Sequence, residues 1–256
     1  MQVNRWIVGF DLHWPRSSRP TCKAMFKLID AIRPTGIILA GDQMDNECIS
    51  HHTKGKSIYR PQGKYLQDQN SFETEFLTPL EGLLEKGCKK VWIVGNHDHW
   101  ERQYIEENPE LDGLLDRPRG LKLKQRGWEV IDIGGYYRLG KMVVCHGEWL
   151  TGMGNQGGQF PAKKAVEAMS SNVLAGHTHA PQSFTRIAPV DKVQKWMGWI
   201  SPILGATNAS FMRNRPNAWL SGFTMVEVMD DGAFNCYPII VTKGRFSYGG
   251  KVWDAR

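Results

Sequence analysis

The sequence predicts an α/β fold whose early strands run parallel, and two observations carry that expectation. Short apolar runs ending in glycine or a polar cluster recur along the chain: RWIVGFDLH, GIILAGDQMD, KVWIVGNHDH, KMVVCHGEW and NVLAGHTHA. Each reads as a strand buried on both faces, with its polar residues gathered at one end. Helical spacings separate several of these runs, and strand–helix alternation of this kind builds parallel sheets.

Taken in order, the run from Arg5 is a first strand rather than a leader peptide, because it holds one arginine, a short apolar stretch and then Asp11. Thr21 to Ile32 places Met25, Phe26, Leu28, Ile29 and Ile32 at helical intervals. Ser71 to Lys86 opens on Ser71-Phe-Glu-Thr, which resembles a capping box, and stops before Gly87, so a second helix is expected there. Ala162 to Met169 is a third, shorter helix. The later part is richer in strand. Trp128 to Cys145 reads as consecutive strands around Gly134-Gly135 and Gly140-Lys141. Trp219 to Val228 and Phe234 to Val241 flank a hairpin turn at Asp230-Asp231-Gly232. Residues 46–70 and 101–126 are polar excursions that leave the sheet. With no repeat, low-complexity tract or linker, residues 1–256 are expected to form a single domain.

Composition removes some classes of function. The chain is 41% apolar and 23% charged, as soluble globular proteins are. No apolar run approaches the length of a membrane span. Five scattered cysteines without a CxxC pair predict no disulfide framework, and a reducing cytoplasm is the expected location. A net charge of +6 permits a polyanionic partner without requiring one.

The chemistry gathers at the strand ends. Six of the eight histidines (His13, His97, His99, His146, His177 and His179) lie in or beside them, together with Asp11, Asp42, Asp45, Asn96 and Asp98. Ligands of open α/β sheets collect at the carboxyl ends of strands, so five loops are expected to build one site. Imidazole, carboxylate and amide donors without thiolate suit Mn, Fe, Co, Ni or Zn. A structural zinc would use fewer ligands, usually including cysteine. The donors outnumber what one ion needs. Two ions roughly 3.5–4 Å apart can share a carboxylate, neutralise phosphate oxygens and hold water for in-line attack at phosphorus. Gly41, Gly95 and Gly176 each precede one of these donors and are expected to supply backbone freedom where strand turns into loop. Asn96-His97-Asp98-His99 fits neither a strand core nor a helix face.

Asp11-Leu-His13, Gly41-Asp42-Gln-Met-Asp45, Gly95-Asn96-His97-Asp98, His146 and Gly176-His177-Thr-His179 resemble, in order, the motifs of the calcineurin-like metallophosphoesterases. The resemblance spans Asp11 to His179 and implies a four-layer α/β/β/α sandwich of two mixed sheets with the metals at one edge. It implies two divalent ions, manganese first, with iron, zinc, nickel and cobalt compatible. It further implies that Asp11, His13 and His179 bind one ion, that Asn96, His146 and His177 bind the other, and that Asp42 bridges them. His97 is then the catalytic imidazole, steadying charge at phosphorus or protonating the leaving group, and Asp45 sets its tautomer. Asp98 would fix the loop, and His99 has no counterpart role. Asn46 and Asp98 depart from the protein phosphatases of this superfamily, which carry arginine and glutamate at those places. The similarity is closer to bacterial and phage-type phosphodiesterases and to repair nucleases.

The expected reaction is therefore dimetal-dependent phosphoester hydrolysis, most simply of a nucleic acid or nucleotide diester. The alternatives are a phosphomonoesterase acting on a small metabolite or nucleotide, and a non-catalytic scaffold of the same fold. Specificity is expected from the excursions. HHTKGKSIYRPQGKY (His51 to Tyr65) mixes basic residues with two tyrosines, which points to Lys54, Lys56 and Arg60 as contacts to a nucleic-acid substrate, DNA or RNA. RPRGLKLKQRGW (Arg117 to Trp128) and FMRNRPNAW (Phe211 to Trp219) repeat the theme more weakly. Gly147 to Gly158 is expected to be a loop over the site. Trp14 and Trp100, next to ligand loops, are either a substrate wall or packing.

Overall fold

The computed structural model describes residues 3–57, 61–112, 120–152, 159–190, 195–208 and 215–256. The expected contact Arg60 and parts of the segments at 117–128, 147–158 and 211–219 lie outside the described residues. Strands β1 (Val3–Gly9), β2 (Gly36–Ala40), β3 (Lys89–Ile93) and β4 (Trp128–Ile131) pair in parallel, with Ile7 beside Ile37 and Ile38 beside Val91. Two antiparallel strands, β10 (Gly222–Met229) and β11 (Phe234–Ile240), complete a six-stranded sheet in the order β11-β10-β1-β2-β3-β4. The second sheet has five strands, β5 (Tyr136–Leu139), β6 (Met142–Cys145), β7 (Asn172–Ala175), β8 (Gln182–Ile187) and β9 (Lys195–Ile200), in the order β5-β6-β7-β9-β8. Its middle strands β6, β7 and β9 are parallel and its edges antiparallel. The stretch from Trp128 to Cys145 forms the three consecutive strands expected, divided between the sheets: β4 joins the first while β5 and β6 begin the second.

The alternation of side chains along each strand sets the layers. Ile7, Ile37, Leu39 and Trp92 face Met25, Leu28 and Ile29 of α1 (Arg19–Ile32), together with Phe72, Phe76 and Leu80. Trp6, Val8, Ile38, Ala40, Val91 and Ile93 face the opposite way, onto Leu139, Met142, Val144 and Leu174 of the second sheet. The outer side of that sheet, through Val143, Val173, Ala175 and Ile200, is covered by Ala162 and Ala165 of the last helix, Pro161–Met169. The result is helices, sheet, sheet and helix, as the resemblance implied. A C-terminal hairpin, β12 (Arg245–Tyr248) with β13 (Lys251–Asp254), adds Phe246 to the helix-side core. Among the described residues no helix is long and apolar enough to cross a membrane.

Two helices differ from expectation. α2 (Pro61–Phe72) begins ten residues before Ser71 and runs through a π-helical stretch (Glu73–Leu77) into α3 (Thr78–Gly82). Ser71 is no cap: its Oγ accepts the Trp14 indole N–H at 2.8 Å and lies 3.0 Å from the Asp68 carbonyl, to which it donates. The second difference is that Asn96 to His99 form the first turn of α4 (Asn96–Glu107). Asp98 makes this possible. Its buried carboxylate accepts the Gly95 N–H at 3.1 Å and also faces the N–H groups of Gln43 and Met44 at 3.3 Å. It thereby caps the helix and ties it to the loop after β2.

Candidate metal centre

The loops that carry the donors are extensions of the strand pairing. Beyond β1 and β2 the N–H groups of Asp11, His13 and Trp14 donate to the carbonyls of Gly41, Asp42 and Gln43 at 3.1, 2.9 and 3.0 Å, and Asp45 N–H returns to Trp14 O at 2.9 Å. In the second sheet Gly176 N–H donates to His146 O at 2.9 Å. Five of the seven expected ligands, Asp11, His13, Asp42, His177 and His179, have left-handed backbone, with φ between 49° and 64°. Such residues persist only where their surroundings over-determine them, and they cluster at working sites.

The glycines before the donors act mainly through space. A Cβ on Gly41 would stand 2.2 Å from His146 Nδ1, one on Gly95 2.2 Å from Asp42 Oδ1, and one on Gly176 2.5 Å from Asp11 Oδ2. Of the three, only Gly41 has a left-handed φ, +89°. The expected need for backbone freedom therefore applies at Gly41, and close approach of a ligand side chain explains the other two.

The donors fall into two groups, joined by a third set, His13, Asp42 and His97, that shares a residue with each. Asp11, His13 and His179 form the first, with His179 Nε2 3.2 Å from both Asp11 Oδ1 and His13 Nε2. Asp42, His146 and His177 form the second, with His146 Nε2 3.2 Å from Asp42 Oδ2 and 3.1 Å from Asn96 Oδ1. The main chain holds the carboxylates: His177 N–H donates to Asp11 Oδ2 at 2.9 Å, and His97 N–H to Asp42 Oδ1 at 2.8 Å.

This arrangement fits cations. His146 Nδ1 lies 3.1 Å from the Ala40 carbonyl, which can only accept, so Nδ1 carries the proton and Nε2 presents a lone pair. That position faces two oxygen acceptors and calls for a cation or a proton between them. With only protein groups to balance the charge, protons take the cation's part. Burial opposes charge on His146, yet Asp42 and then Asp11 outweigh it and push its pKa up to about 10. Burial likewise opposes charge on His13, and Asp45, Asp42 and Asp11 raise it to about 9. Burial opposes charge on Asp42 too, and the imidazoles of His146, His97 and His13 hold its pKa well below the usual carboxylate range. Divalent ions between these groups would do the same work without protons. The oxygen and imidazole donors suit several metals and select none.

His97 sits at the junction. Its Nδ1 donates to the main-chain carbonyl of Asp45 at 2.8 Å, while the Asp45 carboxylate stands at 3.6 Å. The tautomer is thus set by the Asp45 backbone, which corrects the expectation that its carboxylate does so. Trp100 covers the imidazole, with ring centroids 3.9 Å apart. Asn46 donates its amide to His97 O at 2.8 Å, a structural task in place of the arginine found in protein phosphatases. The Asp45 carboxylate instead lies 3.4 Å from His13 Nδ1 through Oδ1 and 3.1 Å from Arg16 Nε through Oδ2. Arg16 also pairs with Glu47. Motif spacing could not reveal Arg16 as Asp45's partner. His99 belongs to neither donor group.

A cavity of about 410 Å³ opens beside the first group, lined by His13, His97, His177 and His179 and, further out, by Arg16, Ala206 and Trp219. The expected substrate contacts Lys54 and Lys56 are elsewhere. Lys54 pairs with Glu107 at 3.2 Å, and Lys56 donates to His52 O at 2.9 Å. Trp14 is fully buried and is packing, not wall.

A profile of the calcineurin-like phosphoesterases matches residues 11–198. The chain belongs to that family. A search of curated proteins finds no match. Among solved structures, Vps29 of Entamoeba histolytica complexed with zinc is similar at 13% identity over 98% of this chain and 99% of that one, with a TM-score of 0.47. A conserved predicted phosphoesterase of Streptococcus pneumoniae shares 13% identity over 99% and 97% of the two chains, with a TM-score of 0.40. The phosphoesterase Yfce of E. coli shares 12% over 91% and 98%, also with a TM-score of 0.40.

Proposed function

We propose that this calcineurin-like phosphoesterase is a dimetal phosphodiesterase acting on a nucleic acid or nucleotide diester. The observation that carries the reading is the reach of one carboxylate. Asp42 Oδ2 stands 3.2 Å from His146 Nε2 and 4.0 Å from His13 Nε2, so it touches both donor groups. Asp11, His13 and His179 would hold one ion, Asn96, His146 and His177 the other, and Asp42 both. Two such ions, with manganese the first to test, would supply charge neutralisation at the phosphate oxygens and an activated water near neutral pH.

The remaining roles belong to side chains. His97 carries its proton on Nδ1, donated to Asp45 O, so its Nε2 faces the centre. Burial lowers the His97 pKa, so Nε2 rests unprotonated at neutral pH, and a proton taken up there as negative charge builds would be donated to a phosphate oxygen or to the departing alkoxide. Trp100 and Asn46 keep the ring and backbone in place. Charge favours a diester over a monoester. Among the described residues lining the cavity, Arg16 is the one guanidinium, and Asp45 and Glu47 already neutralise it. A diester monoanion needs less positive charge than a monoester dianion. The basic composition supports a nucleotide-bearing substrate.

The test pairs bis-p-nitrophenyl phosphate with p-nitrophenyl phosphate, using chelator-stripped protein reloaded with manganese. Preference for the diester is expected. His97→Ala should lower kcat by about 10²–10⁴-fold with both ions retained. Preference for the monoester would move the assignment to a phosphatase, and unchanged turnover in His97→Ala would remove that residue's role.

A further inference from the structure

We propose that the cavity beside the first donor group receives a planar ring on the ester arm of the substrate, with Trp219 as the specificity-determining wall. The inference rests on the phosphodiester reading and narrows it. A phosphate held between the two donor groups would lie against His13, His97, His177 and His179, and all four line the cavity, so an ester arm would extend into it. At about 410 Å³ the space lies within the roughly 300–1,000 Å³ of small-molecule sites.

The walls are built into the ligand loops. Trp219 packs against the His179 imidazole, with ring centroids 4.4 Å apart and planes at 74°. The main-chain N–H of Trp219 donates to Asn217 Oδ1 at 3.0 Å, and that of the next residue, Leu220, to His179 O at 3.4 Å. In the segment that runs alongside it, Gly205 N–H donates to Asp11 O and Ala206 N–H to Arg16 O, both at 2.9 Å. Any shift of either wall would therefore disturb a donor loop.

The chemistry of the lining selects the occupant. An indole, a methyl group and imidazole rings offer flat, weakly hydrated surface, which suits an aromatic or heterocyclic ring. Arg16 offers little to a second anion, since Asp45 and Glu47 take its charge. Ser17 and Asn208 line the same space and can meet polar edges of a ring.

Binding to manganese-loaded protein tests this without turnover. Benzylphosphonate and ethylphosphonate carry the same head group and differ by a ring. Calorimetry should find the benzyl compound at least about tenfold tighter. Trp219→Ala should bring that ratio towards one, while Trp219→Phe should keep most of it. Metal content is measured alongside. Should Trp219→Ala shed its ions, Ala206→Leu fills the cavity from another lining position and should also collapse the ratio. A nucleoside methylenephosphonate in the same series identifies the source of the ring: tighter binding than benzyl points to a nucleoside, weaker binding to a simple arene. Equal binding of the benzyl and ethyl compounds overturns the cavity proposal alone, as does a ratio that neither Trp219→Ala nor Ala206→Leu changes. No binding of any phosphonate by the loaded protein overturns the phosphoester reading and the cavity proposal together.

Discussion

The two donor groups use the same side-chain types but are held in different ways. In the second group His146 is 1% exposed, and its Nδ1 is tied to the carbonyl of Ala40 at the end of β2. Nothing short of moving that strand can turn the ring. In the first group His13 Nδ1 faces the Asp45 carboxylate at 3.4 Å, and Asp45 is in turn held by Arg16, which lies partly at the surface. A main-chain acceptor makes orientation a property of the fold. A chain of side chains makes it a property of a few replaceable residues. Outer partners of this kind govern the affinity of the metal ligands they orient.

The largest effect should come where the two groups meet. Asp42→Asn removes the charge that both share, and chelator-stripped protein reloaded with manganese should then bind less than one ion per chain by metal analysis. Activity should fall by about 10³-fold or more. Retention of two ions by this variant would break the bridging assignment. Gly95→Ala comes next. The added Cβ would lie 2.2 Å from Asp42 Oδ1 and 2.4 Å from Asp42 N, and backbone cannot yield as a flexible side chain does. A cost of about 1–3 kcal/mol is expected in denaturant unfolding, with weakened binding of both ions. Gly82→Ala, at a helical position where nothing lies within 4 Å of the added carbon, is the control: it should leave ion binding unchanged and stabilise the protein by about 0.4–1 kcal/mol.

Arg16→Ala separates the two groups. With its guanidinium gone, Asp45 Oδ2 loses its partner and the carboxylate is free to turn from His13. One ion should weaken by about 10–100-fold while the other stays, so calorimetry should resolve one perturbed site and one intact site. Equal weakening of both would mean that the two groups are mechanically one.

Much of this was legible in the chain because the donors are local events. Each follows a strand, and five apolar runs ending in Asp, His or Asn announce one edge of a sheet. The layers were legible for the same reason, since alternation along β1 to β3 decides which side chains meet the helices. What escaped is non-local. Arg16 and Asp45 are 29 positions apart, and Trp219 reaches His179 across 40, so no spacing rule pairs them. Ser71 reads as a cap because serine before an acidic residue often is one. Its hydroxyl is instead used by Trp14, a tertiary contact that overrides local preference. Asn96 to His99 read poorly as helix because two imidazoles and an amide are weak helix formers. Asp98 supplies the cap that offsets this.

The smallest effect tests how protons and ions compete at the two groups. His146, pushed up to about 10, and His13, pushed up to about 9, are both raised above the ordinary 6.5 by the carboxylates that outweigh burial. Groups raised in this way stabilise the fold fully below 6.5 and lose that contribution as pH rises through their folded values. Ion-stripped protein should therefore lose stability between about pH 7 and pH 10. Manganese-loaded protein should not, because the ions replace the protons. Loading at neutral pH should release protons, and calorimetry in buffers of different ionisation enthalpy counts them. In His13→Asn the stripped protein should keep only the His146 step, at the higher pH. A stripped protein whose melting temperature stays level from pH 7 to 10 would show that protons do not bind where the ions do, and the contrast between a backbone-held and a side-chain-held group would then rest on geometry alone.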